Sequence, residues 1–401
     1  MASENVNHNL LTEHLSYRDL FETDGDNQVE KIDIIVIGGG IAGAATALGM
    51  VRRGGGKVVM FDEQLPSQRL SRGNFGLTWF MPKGANNPTY ALWSRMATMH
   101  WPEFAAKLEE ESGYDVELEW NGGAMHAIGE EQFNAYGESV KKMTDVCREV
   151  GLDYPVRMLD RDEFAAMVPG MRLGDEVSGA MYSAEQGHVN PLCLLGAMRY
   201  AFQKRGGVYH GGTSVSAITP KGNGTIELTT SKGKFVAEKL VVAAGHGSTR
   251  LLAELGEQLH IYPQRGQLIV TERVKKVLNF PILAVRQTMD GTFMIGLSTE
   301  DTAHDVQVTV EAMNSQAKGA IRLFPELADL NWVRGWGAIR VMTPDGSPIY
   351  EQLSEHPNIY VLAGHSAVSL APVMEKQISD WILDRDIAPQ ISQFSNGRFN
   401  V

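Results

Sequence analysis

The chain has 401 residues, of which 43% are hydrophobic and 21% are charged, and its formal net charge is −12. This balance is typical of a globular protein and excludes wholesale disorder, and the length predicts two or three folding units. The acidic composition contains no lysine- and arginine-rich run and only two cysteines, which argues against nucleic acid as a partner and against a disulfide framework or a cysteine-built metal site.

Residues 1–30 are polar and acidic and lack the apolar core of a signal peptide, so we interpret them as an N-terminal arm. Ile32–Val51 is the one apolar stretch that resembles a membrane span. Because Asp33 and five glycines divide it into a strand-like and a helix-like half, no transmembrane segment is predicted. The few cysteines favour a reducing compartment, and we expect a cytoplasmic protein, with peripheral contact to a membrane left open.

A strand–helix–strand unit follows the arm. Val29–Ile37 and Val58–Phe61 have the pattern of buried strands, and a helix rich in small residues runs between them to about Arg53. This order is typical of a βαβ unit in a parallel sheet.

Gly38-Gly39-Gly40-Ile41-Ala42-Gly43 lies at the turn from the first strand into that helix. Gly38 permits the tight turn, Gly40 lets backbone approach a pyrophosphate, and Gly43 allows the helix to pack closely on the strand. The helix N-terminus supplies N–H groups to the phosphate oxygens, and Asp62, at the end of the second strand, is placed to bind ribose hydroxyls. The pattern predicts a bound dinucleotide.

Helical and strand patterns continue through the rest of the chain. The predicted helices are Ala91–Glu111, Glu131–Val150, Pro191–Lys204, Val310–Phe324 and Ala371–Asp384, the last opening with Pro372. The predicted strands are Val208–Ile218, Thr225–Thr229, Lys234–Ala243, Gln267–Thr271, Thr292–Gly296 and Tyr360–Ala363.

Two of the later strand patterns end in small residues, in Leu240–Gly247 and in Val361–His365. Together with the glycine turn they would line a long ligand from three separated segments. This favours FAD over NAD, because the isoalloxazine extends well beyond the pyrophosphate.

These segments together resemble the glycine oxidase/D-amino-acid dehydrogenase (DAO) family of FAD-dependent oxidoreductases over residues 31–401. The matching segments are Ile34–Gly43, Asp62, Ser71–Gly76, Val242–Gly245, Arg265–Gln267 and Trp336–Pro348. Within the family, Ser71–Leu77 followed by Trp79, and Ile339–Gly346, are most similar to the β subunits of opine oxidases and D-hydroxyproline dehydrogenases. The cyanide-forming glycine dehydrogenase subunit is also similar.

The resemblance implies an α/β fold in which a discontinuous Rossmann-type FAD-binding domain is interleaved with an α+β substrate-binding domain on a mixed or antiparallel sheet. Residues 31–105, 175–255 and 338–401 are assigned to the FAD-binding domain. Residues 106–174 and 256–337 are assigned to the substrate-binding domain.

The resemblance also implies the residues that hold a non-covalently bound FAD. Val215 matches the strand whose backbone meets adenine, and Gly364–Val368 matches the loop at the flavin edge. The helix opening at Pro372 would direct its N-terminus toward the reduced flavin. The implied cofactor-binding residues are Gly38, Gly40, Ile41, Ala42, Gly43, Asp62, Glu63, Ser71, Arg72, Asn74, Phe75, Gly76, Leu77, Val215, Ala244, Gly245, Arg340, Gly364, His365, Ser366, Ala367 and Val368.

Arg340 matches the arginine that binds the substrate carboxylate, and a planar guanidinium has the bidentate geometry that a carboxylate requires. A structural ion pair is the alternative role for Arg340. Arg340 and His365 are the expected catalytic residues. Tyr262, Arg286 and Trp336 are further candidates for the substrate pocket, with core or interface roles equally open. The second arginine that simple glycine oxidases carry near Ser366 is absent here.

The expected reaction is FAD-dependent oxidation of the C–N bond of an amino acid or secondary amino acid, such as glycine, a D-amino acid or an opine-like compound. Hydride would pass to flavin N5, and the imine would hydrolyse. One alternative is an N-demethylating amine oxidase of the sarcosine or dimethylglycine type, and another is an FAD-carrying subunit that depends on partner chains. Oxygen, a quinone or a partner subunit would accept the electrons, and a homo- or hetero-oligomer is left open.

Two other site classes lack their motifs. The eleven histidines are scattered, none belongs to an HExxH motif, and neither cysteine is spaced to share a metal with one, so no metal site is predicted. The absence of a GxSxG motif leaves a serine hydrolase unsupported.

Overall fold

The computed structural model describes residues 32–63, 70–84 and 87–400, and the predicted arm at residues 1–30 lies outside them. The strands are β1 (Ile32–Ile37), β2 (Val58–Asp62), β3 (Leu77–Thr78), β4 (Gly123–Ile128), β5 (Arg157–Asp160), β6 (Val177–Ser183), β7 (Gly187–His188), β8 (Val208–Gly211), β9 (Val215–Pro220), β10 (Ile226–Thr230), β11 (Gly233–Val242), β12 (Tyr262–Arg273), β13 (Val285–Gln287), β14 (Thr292–Ile295), β15 (Trp332–Met342), β16 (Ile349–Gln352) and β17 (Ile359–Ala363).

Helices separate and cover these strands. They are α1 (Ile41–Arg52), α2 (Pro88–Met99), α3 (Trp101–Ser112), α4 (Gly129–Glu149), α5 (Arg161–Met167), α6 (Pro191–Lys204), α7 (Gly247–Ala253), α8 (Val310–Leu323), α9 (Ala367–Val373) and α10 (Ser379–Ile382), with shorter 3₁₀ or π turns at Pro325–Asp329, Met374–Ile378, Ile391–Phe394 and Asn396–Phe399. Among the described helices, none is both long and apolar enough to cross a membrane.

The largest sheet has eight strands and is parallel at its centre. Its order is β16-β17-β11-β1-β2-β8, with β10 pairing to β11 and β9 to β10. The pairs among β17, β11, β1, β2 and β8 are parallel, and the pairs made by β16, β10 and β9 are antiparallel. Strands β1 and β2 are almost wholly apolar and buried, as expected for central strands covered on both faces.

Helix α1 packs closely because its buried positions carry small residues. Ala44, Ala45 and Ala47 are fully buried, and a Cβ atom at Gly49 would lie 1.9 Å from the backbone oxygen of Glu375. This close packing places the N-terminus of α1 at the carboxyl end of β1, where parallel sheets bind ligands.

The second region is antiparallel. A four-stranded sheet has the order β13-β14-β12-β15, and a three-stranded sheet has the order β4-β6-β5. An isolated bridge between Ala124 and Ile282 connects them. In the long β12–β15 pair, Gln264 lies opposite Arg340 and Gly266 lies opposite Ala338.

The predicted α/β fold class is confirmed, and α4, α6 and α8 lie within one or two residues of their predicted limits. Two predicted elements are divided. The helix 91–111 is two helices separated at His100, just before Pro102, and the strand 208–218 breaks where Gly212 adopts a φ of 66°.

The domain limits remain a prediction, and two of them divide elements that belong together in the described structure. The limit before residue 175 separates β6 from its partners β4 and β5, and the limit before residue 338 falls inside β15.

The predicted start of the C-terminal helix at Pro372 is wrong. Helix α9 begins at Ala367, so Pro372 lies inside it rather than in its first turn. Proline has no N–H to donate to the residue four positions earlier, and the chain continues as a π turn over Met374–Ile378. The sequence pattern misplaced the helix start because proline is most often found in a first turn.

Candidate active site

The glycine turn between β1 and α1 is shaped by close backbone contacts. Gly38 has a φ of 107°, and a Cβ atom there would lie 2.3 Å from the backbone oxygen of Ala243. A Cβ atom at Gly43 would lie 1.9 Å from the backbone oxygen of Gly38. A side chain at either position would clash with backbone that cannot rotate away, so both glycines are required by this geometry.

Three polar side chains form hydrogen bonds with the backbone of this turn. The N–H of Gly39 donates to Oδ2 of Asp62 at 2.7 Å, and the N–H of Ile41 donates to Oγ of Ser71 at 3.0 Å. Nε of Arg199 donates to the backbone oxygen of Gly39 at 3.0 Å. Asp62 is buried, and a hydrogen bond to a carboxylate of this kind stabilises the turn by about 1.5 to 3 kcal/mol.

A cavity of about 370 Å³, here called the glycine-turn cavity, opens beside the turn. It is lined by the ends of β1, β2, β11 and β17, and by the first residues of α1. The predicted cofactor-binding residues in its wall are Gly38, Gly40, Ile41, Ala42, Asp62, Glu63, Ser71, Arg72, Ala244, Gly245, Gly364, His365 and Ala367. The three separated segments predicted to line one long ligand therefore meet here.

A second cavity of about 170 Å³, here called the Arg340 cavity, adjoins the first. Leu70 and His365 lie in the walls of both. The predicted residues in its wall are Asn74, Phe75, Leu77, Arg340, His365, Ser366 and Val368. A long ligand in the glycine-turn cavity would therefore end beside Arg340.

Arg340 extends into its cavity from β15 and passes Gly266 of the neighbouring strand β12, where no side chain stands in its way. Its Nη1 lies 3.4 Å from the backbone oxygen of Arg265, and its backbone oxygen lies 3.0 Å from Nε2 of His246. Burial lowers the pKa of Arg340, and the negative charge of Glu300, which is paired with Arg265, partly offsets this effect. Among the described residues, no carboxylate lines the Arg340 cavity. The guanidinium is thus available to an anion.

His365 lies where the two cavities meet. Nδ1 of His365 is 2.9 Å from Oγ of Ser366. Burial, followed by the positive charges of Arg340 and Lys83, lowers the pKa of His365 to about 3. The imidazole is therefore neutral at physiological pH and can offer one hydrogen bond donor and one acceptor.

Several predicted residues do not line either cavity in the described structure. Trp336 donates from Nε1 to the backbone oxygen of Gly73 at 3.2 Å. Arg286 lies under the ring of Phe75 and is 3.0 Å from Nδ1 of His188, with a pKa that burial lowers to about 10. Tyr262 is 40% exposed. The others outside the walls are Gly43, Gly76 and Val215.

The structure also brings in residues that the sequence prediction missed. Arg199, from α6, lies in the wall of the glycine-turn cavity, and Lys83 lies in the wall of the Arg340 cavity. Burial lowers the pKa of Lys83 to about 7. A lysine at the end of the mostly apolar stretch 75–82, which begins within the predicted cofactor-binding residues 71–77, was the signal available in the sequence.

Comparisons with known proteins agree with this geometry. The family model described as DAO, FAD dependent oxidoreductase, matches residues 33–381. An opine oxidase subunit from Rhizobium meliloti is 34% identical over 372 residues, covering 92% of this chain and 98% of that protein. Hydrogen cyanide synthase subunit HcnC from Pseudomonas aeruginosa is 26% identical, covering 89% of this chain and 94% of that protein. The crystal structure of glycine oxidase from Geobacillus kaustophilus is similar with a TM-score of 0.82 at 26% identity, covering 92% of this chain and 99% of that chain.

Proposed function

The chain belongs to the DAO family of FAD-dependent oxidoreductases, and from this membership we propose that its substrate is an amino acid or a secondary amino acid. The substrate is oxidised at its C–N bond to an imine, which water then hydrolyses to a carbonyl compound and an amine. The names of two similar proteins, opine oxidase and glycine oxidase, support this substrate class.

The glycine-turn cavity has the features that FAD requires. Gly38 and Gly40 place backbone without side chains in the cavity wall, and α1 begins in the same wall with Ile41 and Ala42, where a helix N-terminus favours an anionic group such as a pyrophosphate. The Asp62 carboxylate lies in the same wall, where a ribose hydroxyl can reach it. FAD, when bound, supplies the acceptor for the two electrons that leave the substrate.

The observation that carries the substrate proposal is the position of Arg340 in a cavity without a carboxylate among its described lining residues. Arg340 binds the substrate carboxylate through its planar guanidinium and holds the substrate at the junction with the glycine-turn cavity. Neutral His365 borders the same junction and adds no second cation there. The remaining wall is mainly apolar, with Phe75, Leu77 and Leu268, and keeps water from the bound substrate.

A second function is supported by the names of two similar proteins. The opine oxidase and hydrogen cyanide synthase relatives are both named as subunits of their enzymes. This favours a chain that oxidises its substrate but passes electrons to a partner chain. On this proposal, the isolated chain should react only weakly with oxygen.

Reduction of the flavin without oxygen tests the substrate proposal. The purified yellow holoenzyme is mixed anaerobically with glycine, D-amino acids, N-alkyl glycines and opines, and the loss of flavin absorbance is followed. Each compound is matched with its amine lacking the carboxylate, such as dimethylamine for sarcosine. We expect bleaching only with carboxylates; equal bleaching by the matched amines would contradict the proposal.

Product and acceptor assays separate the remaining alternatives. Release of formaldehyde from an N-methyl substrate identifies the demethylating reaction. Anaerobic bleaching without turnover in air, together with turnover on an artificial dye, identifies an enzyme that depends on a partner to accept its electrons.

A further inference from the structure

Lys83 places an amine in the Arg340 cavity that the proposed function does not use. Its Nζ donates to the backbone oxygen of Trp79 at 2.6 Å. Within the described residues, this is the hydrogen bond that the structure gives to Nζ, which leaves further positions on the nitrogen for a ligand in the cavity.

The described wall around Lys83 contains no counter-charge. The titratable side chains of this wall are Lys83, Arg340 and His365. Glu300 acts on Arg340 by charge but is not among the lining residues. Both Lys83 and Arg340 act on His365 by charge. Lys83 is half-buried, and an ammonium group partly removed from water without a carboxylate partner is unfavourable, so the cavity favours the neutral amine of Lys83 near physiological pH.

Neither of the other two titratable groups can accept a proton at that pH. The guanidinium of Arg340 stays protonated. His365 is too weak a base, because its pKa is lowered to about 3. In the described wall of the cavity, Lys83 is therefore the group that can change protonation near neutrality.

We propose that the neutral amine of Lys83 accepts the proton that the substrate ammonium group releases when the substrate carboxylate binds Arg340. This inference rests on the proposed function. One N–H bond of the ammonium breaks, one N–H bond forms on Nζ, and the substrate nitrogen keeps the electron pair. No electrons are transferred in this step, and no further reactant is needed.

The proton transfer has a chemical reason and an electrostatic one. The C=N bond of an imine uses the nitrogen lone pair, which an ammonium group does not have. The bound carboxylate also brings the negative charge that the cavity lacks, which increases the proton affinity of Lys83 as the substrate enters.

The pH dependence of anaerobic flavin reduction tests the role of Lys83. For wild type, the logarithm of the second-order rate constant of flavin reduction should rise with a slope of one up to about pH 7 and then level off. In Lys83→Met and in Lys83→Arg the rise should move toward about pH 10, the range of an alkylamine. At pH 7 this corresponds to a loss of about 100-fold or more, which disappears at high pH. Lys318→Met, an exposed change on α8, is the control and should leave the profile unchanged.

Chemical rescue separates proton transfer from a structural role. Lys83→Ala should regain activity with small primary amines added to the buffer, and the regained rate should depend on the pKa of the added amine. Three results would overturn the inference: a wild-type rise that persists in Lys83→Met, an equal loss at every pH, or a loss confined to substrates with a second carboxylate. If wild type is bleached by no amino acid at all, the proposed function itself fails.

Discussion

Gly266 makes room for the guanidinium of Arg340. A Cβ atom at position 266 would lie 2.3 Å from Nη2 of Arg340, closer than any side chain tolerates. The two residues lie on neighbouring strands, β12 and β15, with Gly266 opposite Ala338. The contact involves the flexible end of a long side chain, so a methyl group there would move Arg340 without breaking the sheet.

Gly266→Ala should therefore impair substrate binding more than stability. We expect KM for a carboxylate substrate to rise about tenfold or more, corresponding to about 1.4 kcal/mol, with a small change in the melting temperature. Gly137→Ala on α4, where a Cβ atom meets nothing within 4 Å, is the matched control and should leave KM unchanged. An unchanged KM in Gly266→Ala would show that Arg340 does not bind the carboxylate from this position.

Gly43→Ala should weaken FAD binding. The new methyl group would lie 1.9 Å from the backbone oxygen of Gly38 and would push the turn out of the position that the dinucleotide needs. We expect the FAD dissociation constant, measured by fluorescence quenching, to rise by at least about tenfold. Gly196→Ala on α6, which meets nothing within 4 Å, is the control. Equal FAD affinity in the two variants would contradict the role of the turn.

His365 should contribute to acid sensitivity. Its pKa in the folded protein is lowered to about 3, so between about pH 6.5 and pH 3 the unfolded chain binds a proton that the folded protein does not. The free energy of unfolding must therefore decrease as the pH falls from about 6.5 to about 3. Between pH 7 and pH 5 we expect the free energy of unfolding to fall by about 1 to 2 kcal/mol more in wild type than in His365→Asn.

Urea unfolding at the two pH values measures this difference, because the other titrating groups are common to both proteins. If wild type and His365→Asn lose the same free energy of unfolding between pH 7 and pH 5, the imidazole is not held neutral at the cavity junction.

The sequence predicted the features that short-range backbone geometry determines. The glycine turn, the βαβ unit and the family that they indicate are confirmed, and so is FAD as the cofactor. The packing of Gly43 against the backbone oxygen of Gly38 involves residues of the same turn, and this is why the local pattern identifies it. The contact of Gly38 with Ala243 joins distant segments, but the tight turn that it accompanies has a local signal.

Features that depend on distant segments were not predicted. Lys83 reaches the Arg340 cavity because its segment packs near β15 and the loop after β17, and neither contact is visible in the local pattern. Trp336 lies on the same side of β15 as Arg340, but its indole N–H donates to the backbone oxygen of Gly73. Arg286 contacts His188, a residue far away in the chain. The residues around Pro372 do not show whether a proline lies in the first turn of a helix or further along it, and in α9 it lies further along.

Ligand binding without turnover tests directly whether Arg340 binds the substrate carboxylate beside FAD. Methoxyacetate and the neutral methoxyacetamide are titrated into the holoenzyme, and the flavin absorbance spectrum reports binding. Wild type should bind the carboxylate and not the amide, and Arg340→Met should bind methoxyacetate about 100-fold more weakly. The affinity of Arg340→Lys for methoxyacetate should lie between those of wild type and Arg340→Met. The affinity of Arg273→Met, a change at an exposed position of β12, should equal that of wild type. Equal binding of methoxyacetate by wild type and Arg340→Met would show that Arg340 does not bind the carboxylate.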